Sequence, residues 1–366
     1  MRQRTSAVLM LMATVLLTGC LFTLNDPLAA PDGTIAVFLD ADGGYTLFPE
    51  TGGLHLFRDD EWIPIPAATI AGSGGLLDLS PNGLQALYVD IDSDGVFTSF
   101  ASTLYRCALL PDAAPERILQ TGSTVAKAEW VRSDRILVLL FDEQELGTLH
   151  ALDPTTRKTT LLAEDLLSFE VVPETDELLL LAARPESDPP LGGVVRWDPE
   201  TGTRRPLATF VLSEETLESF AALPHRLFWD VSPDGTWVAL ALYDGTVVVP
   251  AAETELPTLY LIDLMIGETQ RIAVEALMPA FAPDGSGLLY AVEAESDEAV
   301  LMWRSFASGR STEVPGSVGM STAFWLSPTT LGMTYEMDED RFRLVALDVN
   351  TEEIRVLVDA PARSDE

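Results

Sequence analysis

With 366 residues the chain is long enough for two average domains or one large closed all-β domain, and too long for a small disulfide scaffold. Asp and Glu outnumber Lys and Arg by 57 to 22, for a formal charge of -35, and Lys127 and Lys158 are the sole lysines. This balance excludes nucleic acid as a partner, because binding a phosphate backbone takes a basic stripe. A hydrophobic content of 47% with 8% aromatics excludes a disordered chain and predicts a substantial core.

The amino terminus reads as a targeting segment. Arg2 and Arg4 form a basic start, an apolar run of 11 residues follows from Ala7 to Leu17, and Leu17-Thr18-Gly19-Cys20 closes it. Such a run is too short to span a bilayer, which takes about 20 residues. Small residues before a terminal cysteine resemble the bacterial lipobox, in which the cysteine thiol is acylated and the chain is cut before it. The resemblance implies a signal peptide over 1–19, lipid on Cys20, a tether over 20–30, and membrane attachment through that lipid. An ordinary secreted protein with a chance cysteine is the plainer reading. Loss of Arg2 and Arg4 takes the mature side-chain charge to -37 and leaves Cys107 as the one remaining thiol, which cannot form an intramolecular disulfide. Within Ser102-Thr103-Leu104-Tyr105-Arg106-Cys107-Ala108-Leu109 it stands at a strand position, as a small buried hydrophobe.

From residue 31 to 366 short Val, Leu, Tyr and Phe runs alternate with Pro, Gly and Asp, which predicts an all-β domain. One turn recurs as Ala30-Pro31-Asp32-Gly33, Ser80-Pro81-Asn82-Gly83, Ser232-Pro233-Asp234-Gly235 and Ala282-Pro283-Asp284-Gly285. Worn copies are Arg132-Ser133-Asp134-Arg135, Pro173-Glu174-Thr175-Asp176 and Ser327-Pro328-Thr329-Thr330. Proline presets φ, Asp or Asn bonds the local backbone, and Gly accepts positive φ. A strand precedes each turn (Lys127 to Val131, Ser168 to Val172, Arg226 to Val231, Met320 to Leu326), and a more apolar strand follows it (Leu84 to Val89, Ile136 to Phe141, Leu178 to Ala182, Trp237 to Leu242, Gly287 to Val292). A third strand runs into an Asp turn at Asp153, Asp198, Asp263 and Asp348, and a fourth closes the unit, as in Glu353 to Val358.

Four strands per period make a blade, and anchors at 31, 81, 132, 173, 233, 283 and 328 predict a seven-bladed β-propeller, with six as the alternative because blade one has no clear first strand. The pattern resembles TolB-like repeats, relatives of the WD-type repeat, over nearly the whole mature chain. It departs from TolB in lacking an N-terminal α/β domain and in having a lipobox, so TolB's partners are not implied.

The connections between second and third strands carry 21 carboxylates between Asp40 and Asp340, an anionic crown that would attract cations or a basic partner, or simply keep the protein soluble in a salty medium. Asp90-Ile91-Asp92-Ser93-Asp94-Gly95 sets alternating carboxylates around a glycine, which suits Ca²⁺ through Asp90, Asp92 and Asp94 and is similar to Asp-rich calcium loops in other propellers. Thr98 and Ala101 stand where a helix-loop-helix site has further ligands, and an acidic hairpin turn is the competing reading.

Catalytic signals are thin. His55, His150 and His225 fall in different blades without metal spacing. There is no Gly-x-Ser-x-Gly elbow and no room for the hydrolase domain of prolyl-oligopeptidase-like enzymes. Ser232-Pro233-Asp234-Gly235-Thr236-Trp237 misses the sialidase Asp box by one residue, and Gly72-Ser73-Gly74-Gly75 lacks the strand-to-helix context of a phosphate loop. Ser213 to Phe220 reads as a short capped helix. The expectation is an extracytoplasmic, lipid-anchored scaffold or binding module with a protein partner and no certain cofactor; the alternative is a propeller hydrolase with a carboxylate-ligated metal in the central channel.

Overall fold

The computed structural model describes residues 28–30, 34–40, 52–58, 61–70, 73–93, 100–141, 146–172, 177–184, 187, 190–212, 216, 228–242, 257–293, 299–320, 322–337 and 341–359. These fall into two compact units, one holding 144–149 and 162–319, the other 22–143, 150–161 and 320–366.

In the second unit, β1 (Leu28–Ala29), β2 (Ile35–Asp40), β3 (Gly52–Arg58) and β4 (Glu61–Ile70) pair in chain order as one sheet, followed by β5 (Ser73–Leu79), β6 (Gln85–Ser93), β7 (Phe100–Ala108) and β8 (Glu116–Thr121). β9 (Thr124–Arg132) pairs with β10 (Arg135–Phe141). β11 (Gly147–Leu152) and β12 (Thr159–Val171) each carry residues of both units. In the first unit β12, β13 (Leu178–Arg184), β14 (Leu191–Asp198) and β15 (Thr203–Val211) pair in that order. β16 (Trp229–Val231), β17 (Trp237–Leu242), β18 (Thr258–Asp263) and β19 (Thr269–Ala273) form a further sheet, as do β20 (Ala276–Phe281), β21 (Gly287–Glu293), β22 (Ala299–Ser305) and β23 (Ser311–Glu313). The chain returns to the second unit in β24 (Thr322–Ser327), β25 (Thr330–Met337), β26 (Arg341–Asp348) and β27 (Ile354–Asp359). The strands pair antiparallel, for example Trp237↔Asp263 and Leu242↔Thr258 between β17 and β18.

Burial falls from the second strand to the fourth, and the sequence follows it. β17 (Trp-Val-Ala-Leu-Ala-Leu) is buried at five of its six positions, whereas β19 (Thr-Gln-Arg-Ile-Ala) is exposed at three of five. A continuous apolar run marks a strand covered on both faces, and an alternating or polar one marks an edge. Each fully buried Leu, Val or Phe contributes about 1.5–3 kcal/mol. In the second unit one core cluster joins Phe38, Leu54, Leu56, Leu76, Tyr88 and Cys107, with Phe38 and Tyr88 rings 5.1 Å apart and Tyr88 stacked on Tyr105 at 5.0 Å. In the first unit Phe306 packs between Trp237 and Phe281 at 6.3 and 5.9 Å.

Two differences from the sequence expectation stand out. Blade one does have a first strand: β1 is two residues long and lies within the stretch expected to be tether. And the final strand of one repeat and the first strand of the next are continuous in β12, where Asp165 takes φ 60° and pairing with β13 begins at Leu166. Asp is among the few residues that tolerate positive φ, so the backbone takes that conformation there without a glycine. The expected helix at 213–220 lies, apart from Thr216, outside the described residues.

Candidate functional site

The recurring turn is built as its residues require. Gly83, Gly235 and Gly285 take φ of 66°, 64° and 70°, and their N–H groups donate to the carbonyls of Ser80, Ser232 and Ala282. Ser232 Oγ donates to Asp234 Oδ1 at 2.7 Å, and that oxygen accepts from Thr236 N at 3.0 Å. Burial pushes the Asp234 carboxyl up, but hydrogen bonds from Ser232 and Thr236 hold it below its ordinary value. Bonds from Ser286 likewise lower Asp284.

The second turn is equally regular. Asp153, Asp198, Asp263 and Asp348 each accept backbone N–H groups two and three residues on, at 2.8 to 3.2 Å. Those bonds lower the Asp153 and Asp348 carboxyls, and at Asp198 the Thr201 hydroxyl is the leading cause. The acids that the sequence places at strand ends are therefore turn caps.

A further pair of carboxylates ties neighbouring sheets together. Asp78, near the end of β5, accepts from Trp130 N in β9 at 2.7 Å, and Asp230, in β16, accepts from Phe281 N in β20 at 2.6 Å. Each bridge lies within one unit. Sequence reasoning missed both, although each acid stands two residues before the Ser-Pro of its turn, in Asp78-Leu79-Ser80-Pro81 and Asp230-Val231-Ser232-Pro233.

Of the expected site residues, Cys20 and Asp94 lie outside the described residues. Asp90 is half-buried in β6 opposite Gly74 and Thr103, and Asp92 follows two positions on, paired with Ala101. Among the described residues no three His, Cys, Asp or Glu side chains gather as a metal group. His55 Nδ1 lies 2.9 Å from the Gly53 carbonyl, His150 sits in β11 with its pKa lowered by burial, and His225 is outside the described residues. Of the Gly72–Gly75 stretch, Gly72 lies outside the described residues and the rest belongs to β5, where a Cβ on Gly74 would collide with the Val89 carbonyl; that glycine serves close strand approach.

Cys107 is free and buried, as expected, with Sγ 3.4 Å from the Ala108 carbonyl. Burial pushes its thiol up to about 11, so it is no nucleophile at neutral pH. A raised folded-state pKa contributes stability that is complete below the unfolded thiol value of about 8.5 and is lost as pH rises towards 11. Urea midpoints measured between pH 7 and 11 should therefore fall less steeply in Cys107→Ala than in the parent; parallel curves would remove the thiol from the account.

No family model and no curated protein matches the sequence. In structure the chain is similar to the β-propeller domain of the Trilobed protease from Pyrococcus furiosus, at 14% identity and TM-score 0.59 over 92% of this chain and 95% of that one. It is similar to the acylaminoacyl peptidase of Pyrococcus horikoshii at 13% identity and TM-score 0.58, over 92% of this chain but 52% of that one. An oligogalacturonate lyase in complex with manganese matches at 14% identity and TM-score 0.56, over 77% of each chain. TolB from Acinetobacter baumannii is also among the matching structures, at 13% identity and TM-score 0.42 over 75% of this chain and 69% of that one. The all-β chain has the propeller fold that its repeat predicted.

Proposed function

We propose that this propeller is a lipid-anchored extracytoplasmic protein of seven blades that serves as a non-enzymatic scaffold or binding module, for a protein or other ligand, at the cell envelope. The observation that carries the reading is the join between its two halves: β1 begins eight positions after Cys20, so the lipobox-like segment leads almost directly into the propeller. Reading β12 as the last strand of one blade and the first of the next supports a count of seven. The described carboxylates with lowered pKa values are engaged in turn capping or, for Glu116, in an ion pair with Arg106 and Arg157, which fits a structural repeat.

Cys20→Ser should move the protein from the membrane fraction to the soluble fraction and abolish incorporation of labelled fatty acid. Retention of both would sink the anchor. At the Asp90, Asp92 and Asp94 loop we propose a Ca²⁺ site, supported by the alternation of these carboxylates ahead of Gly95 in the sequence. Millimolar Ca²⁺ should then raise the Tm of the parent and not of the Asp92→Asn, Asp94→Asn double variant. An equal rise in both, or none in either, returns these acids to solvated charge.

A lyase and peptidases share this fold, so the fold alone does not separate scaffold from enzyme. The rival reading, a hydrolase with a carboxylate-held metal in the central channel, calls for a transition metal that survives dialysis at one equivalent per chain.

A further inference from the structure

We propose that the turns β5–β6, β7–β8, β9–β10 and β11–β12, where Leu84 and Leu110 protrude beside Arg132, Arg135, Arg157 and Lys158, form a surface that docks onto an anionic phospholipid bilayer. The proposal rests on the lipid-anchored envelope location proposed above, and the surface is built from residues of the second unit alone.

The hydrogen bonds bring these turns together. Leu79 pairs with Ala86 and Gln85 with Ala108, so the β5–β6 and β7–β8 turns share one end of their sheet. Leu109 N donates to the Leu84 carbonyl at 2.9 Å and joins the two. Asp78, at the same end of β5, accepts from Trp130 N, which brings the β9–β10 turn of Arg132 and Arg135 alongside. Arg157, in the β11–β12 turn, donates to Glu116 at the start of β8 at 2.9 Å.

What these turns expose departs from the rest of the chain. Among the described residues the four most exposed large apolar side chains are Leu84, Leu110, Met265 and Ile266, from 59% to 67%. Leu84 and Leu110 belong to this surface. Met265 and Ile266, in the first unit, stand in the β18–β19 turn, where Leu264 N donates to the Thr236 carbonyl beside Ser232–Gly235. The repeat thus places its most exposed apolar side chains at the turn end of a sheet in each unit. Single exposed leucines are ordinary, but leucines on adjoining turns flanked by cations mark an interaction site. Arg132, Arg135, Arg157 and Lys158 are all exposed there, in a chain of formal charge -35. Of the acids nearby, Asp112 and Asp134 are exposed, whereas Glu116 is held by Arg106 and Arg157 and Asp153 caps its own turn. The β26–β27 turn carries Glu352 and Glu353 instead, so the cations are local to these sheets.

This combination fits a lipid surface. Apolar side chains on protruding tips enter the boundary between headgroups and acyl chains, while Arg and Lys beside them stay at the phosphates. The negative potential of an anionic leaflet attracts those cations within a Debye length. A protein partner would have to supply a hollow for each tip, whereas a bilayer yields around them.

The test uses the full chain made in a host that processes lipoproteins, reconstituted in phosphatidylcholine vesicles with or without phosphatidylglycerol, part of the lipid carrying bromine on its acyl chains. Cys107→Ala removes the internal thiol, and a fluorophore is attached to a single cysteine at Leu84, at Leu110 or, as control, at Gly122, where an added Cβ meets nothing within 4 Å. Gly122 follows Thr121, which pairs with Ser102 at the other end of the sheet. With phosphatidylglycerol present, quenching at positions 84 and 110 should exceed that at 122 at least twofold, and Arg135→Gln combined with Lys158→Gln should remove most of the excess. The same ranking is expected with the buried Cys107 retained, should Cys107→Ala unfold. Quenching at 84 and 110 no greater than at 122 overturns the surface and leaves this end to a protein partner or a second copy. An excess that persists without phosphatidylglycerol and in the charge variant overturns the role of the cations. Mass spectrometry of the same samples separates the two failures: an unmodified Cys20 removes the anchor and the proposal with it, whereas acylated Cys20 without the excess removes the surface alone.

Discussion

Asp78→Ala and Asp230→Ala are each expected to lower the free energy of unfolding by about 2–3 kcal/mol, because each removes a charged acceptor from a backbone N–H. The donors are Trp130 N and Phe281 N, and both of these residues are 5% exposed, so little water is at hand to replace the carboxylate. The bonds join residues 52 and 51 positions apart, so they hold successive sheets together within a unit. Asn keeps an acceptor oxygen and loses the charge, and Asp78→Asn and Asp230→Asn should cost about half as much. Denaturant midpoints of the four variants check this. If the Asn variants match the parent, the carboxylate charge is irrelevant to the bridge, and if the Ala variants also match it, the bridge itself is.

Gly74→Ala should destabilise by about 1–3 kcal/mol, the range for forcing extra atoms into a packed site. The added Cβ would press on the carbonyl of Val89, a backbone atom in β6 that moves only if the pairing of Gly75 with Val89 and Gly74 with Asp90 moves too. Gly122 is the control, since an added Cβ there touches nothing and its φ is not positive. Gly122→Ala should be neutral or stabilising by up to about 1 kcal/mol, through the lower entropy of the unfolded chain. Thermal unfolding of both variants decides the matter; equal changes would show that Gly74 is dispensable for strand approach.

Much of the fold was legible because its signals are local. Trp237 to Leu242 reads as a buried strand from its own six residues, and β17 has the same bounds. Ser232-Pro233-Asp234-Gly235 reads as a turn from four residues, and Gly235 takes the positive φ that the motif demands. The break between two repeats at β12 was not legible as continuity: Asp165, with φ of 60°, replaces the usual punctuation, and pairing with β13 begins at the next residue. β1 was missed for a related reason, since Leu28–Ala29 is too short to show a period and is a strand because Ala36 and Ile35 pair with it.

The candidate sites divide the same way. That Cys107 is a small buried residue was visible from its strand position, and the fold adds the burial that lifts its thiol. That Asp78 and Asp230 bridge sheets was not visible, because their partners lie some fifty residues away. The sequence by itself determined the all-β class, the four-strand repeat, the turn chemistry and the surplus of acid, since each depends on spacing within a few residues. Only the tertiary structure decided which acids cap turns and which join sheets, and why Gly74 must lack a side chain. Those depend on what the fold brings beside each residue, and a linear pattern does not encode that.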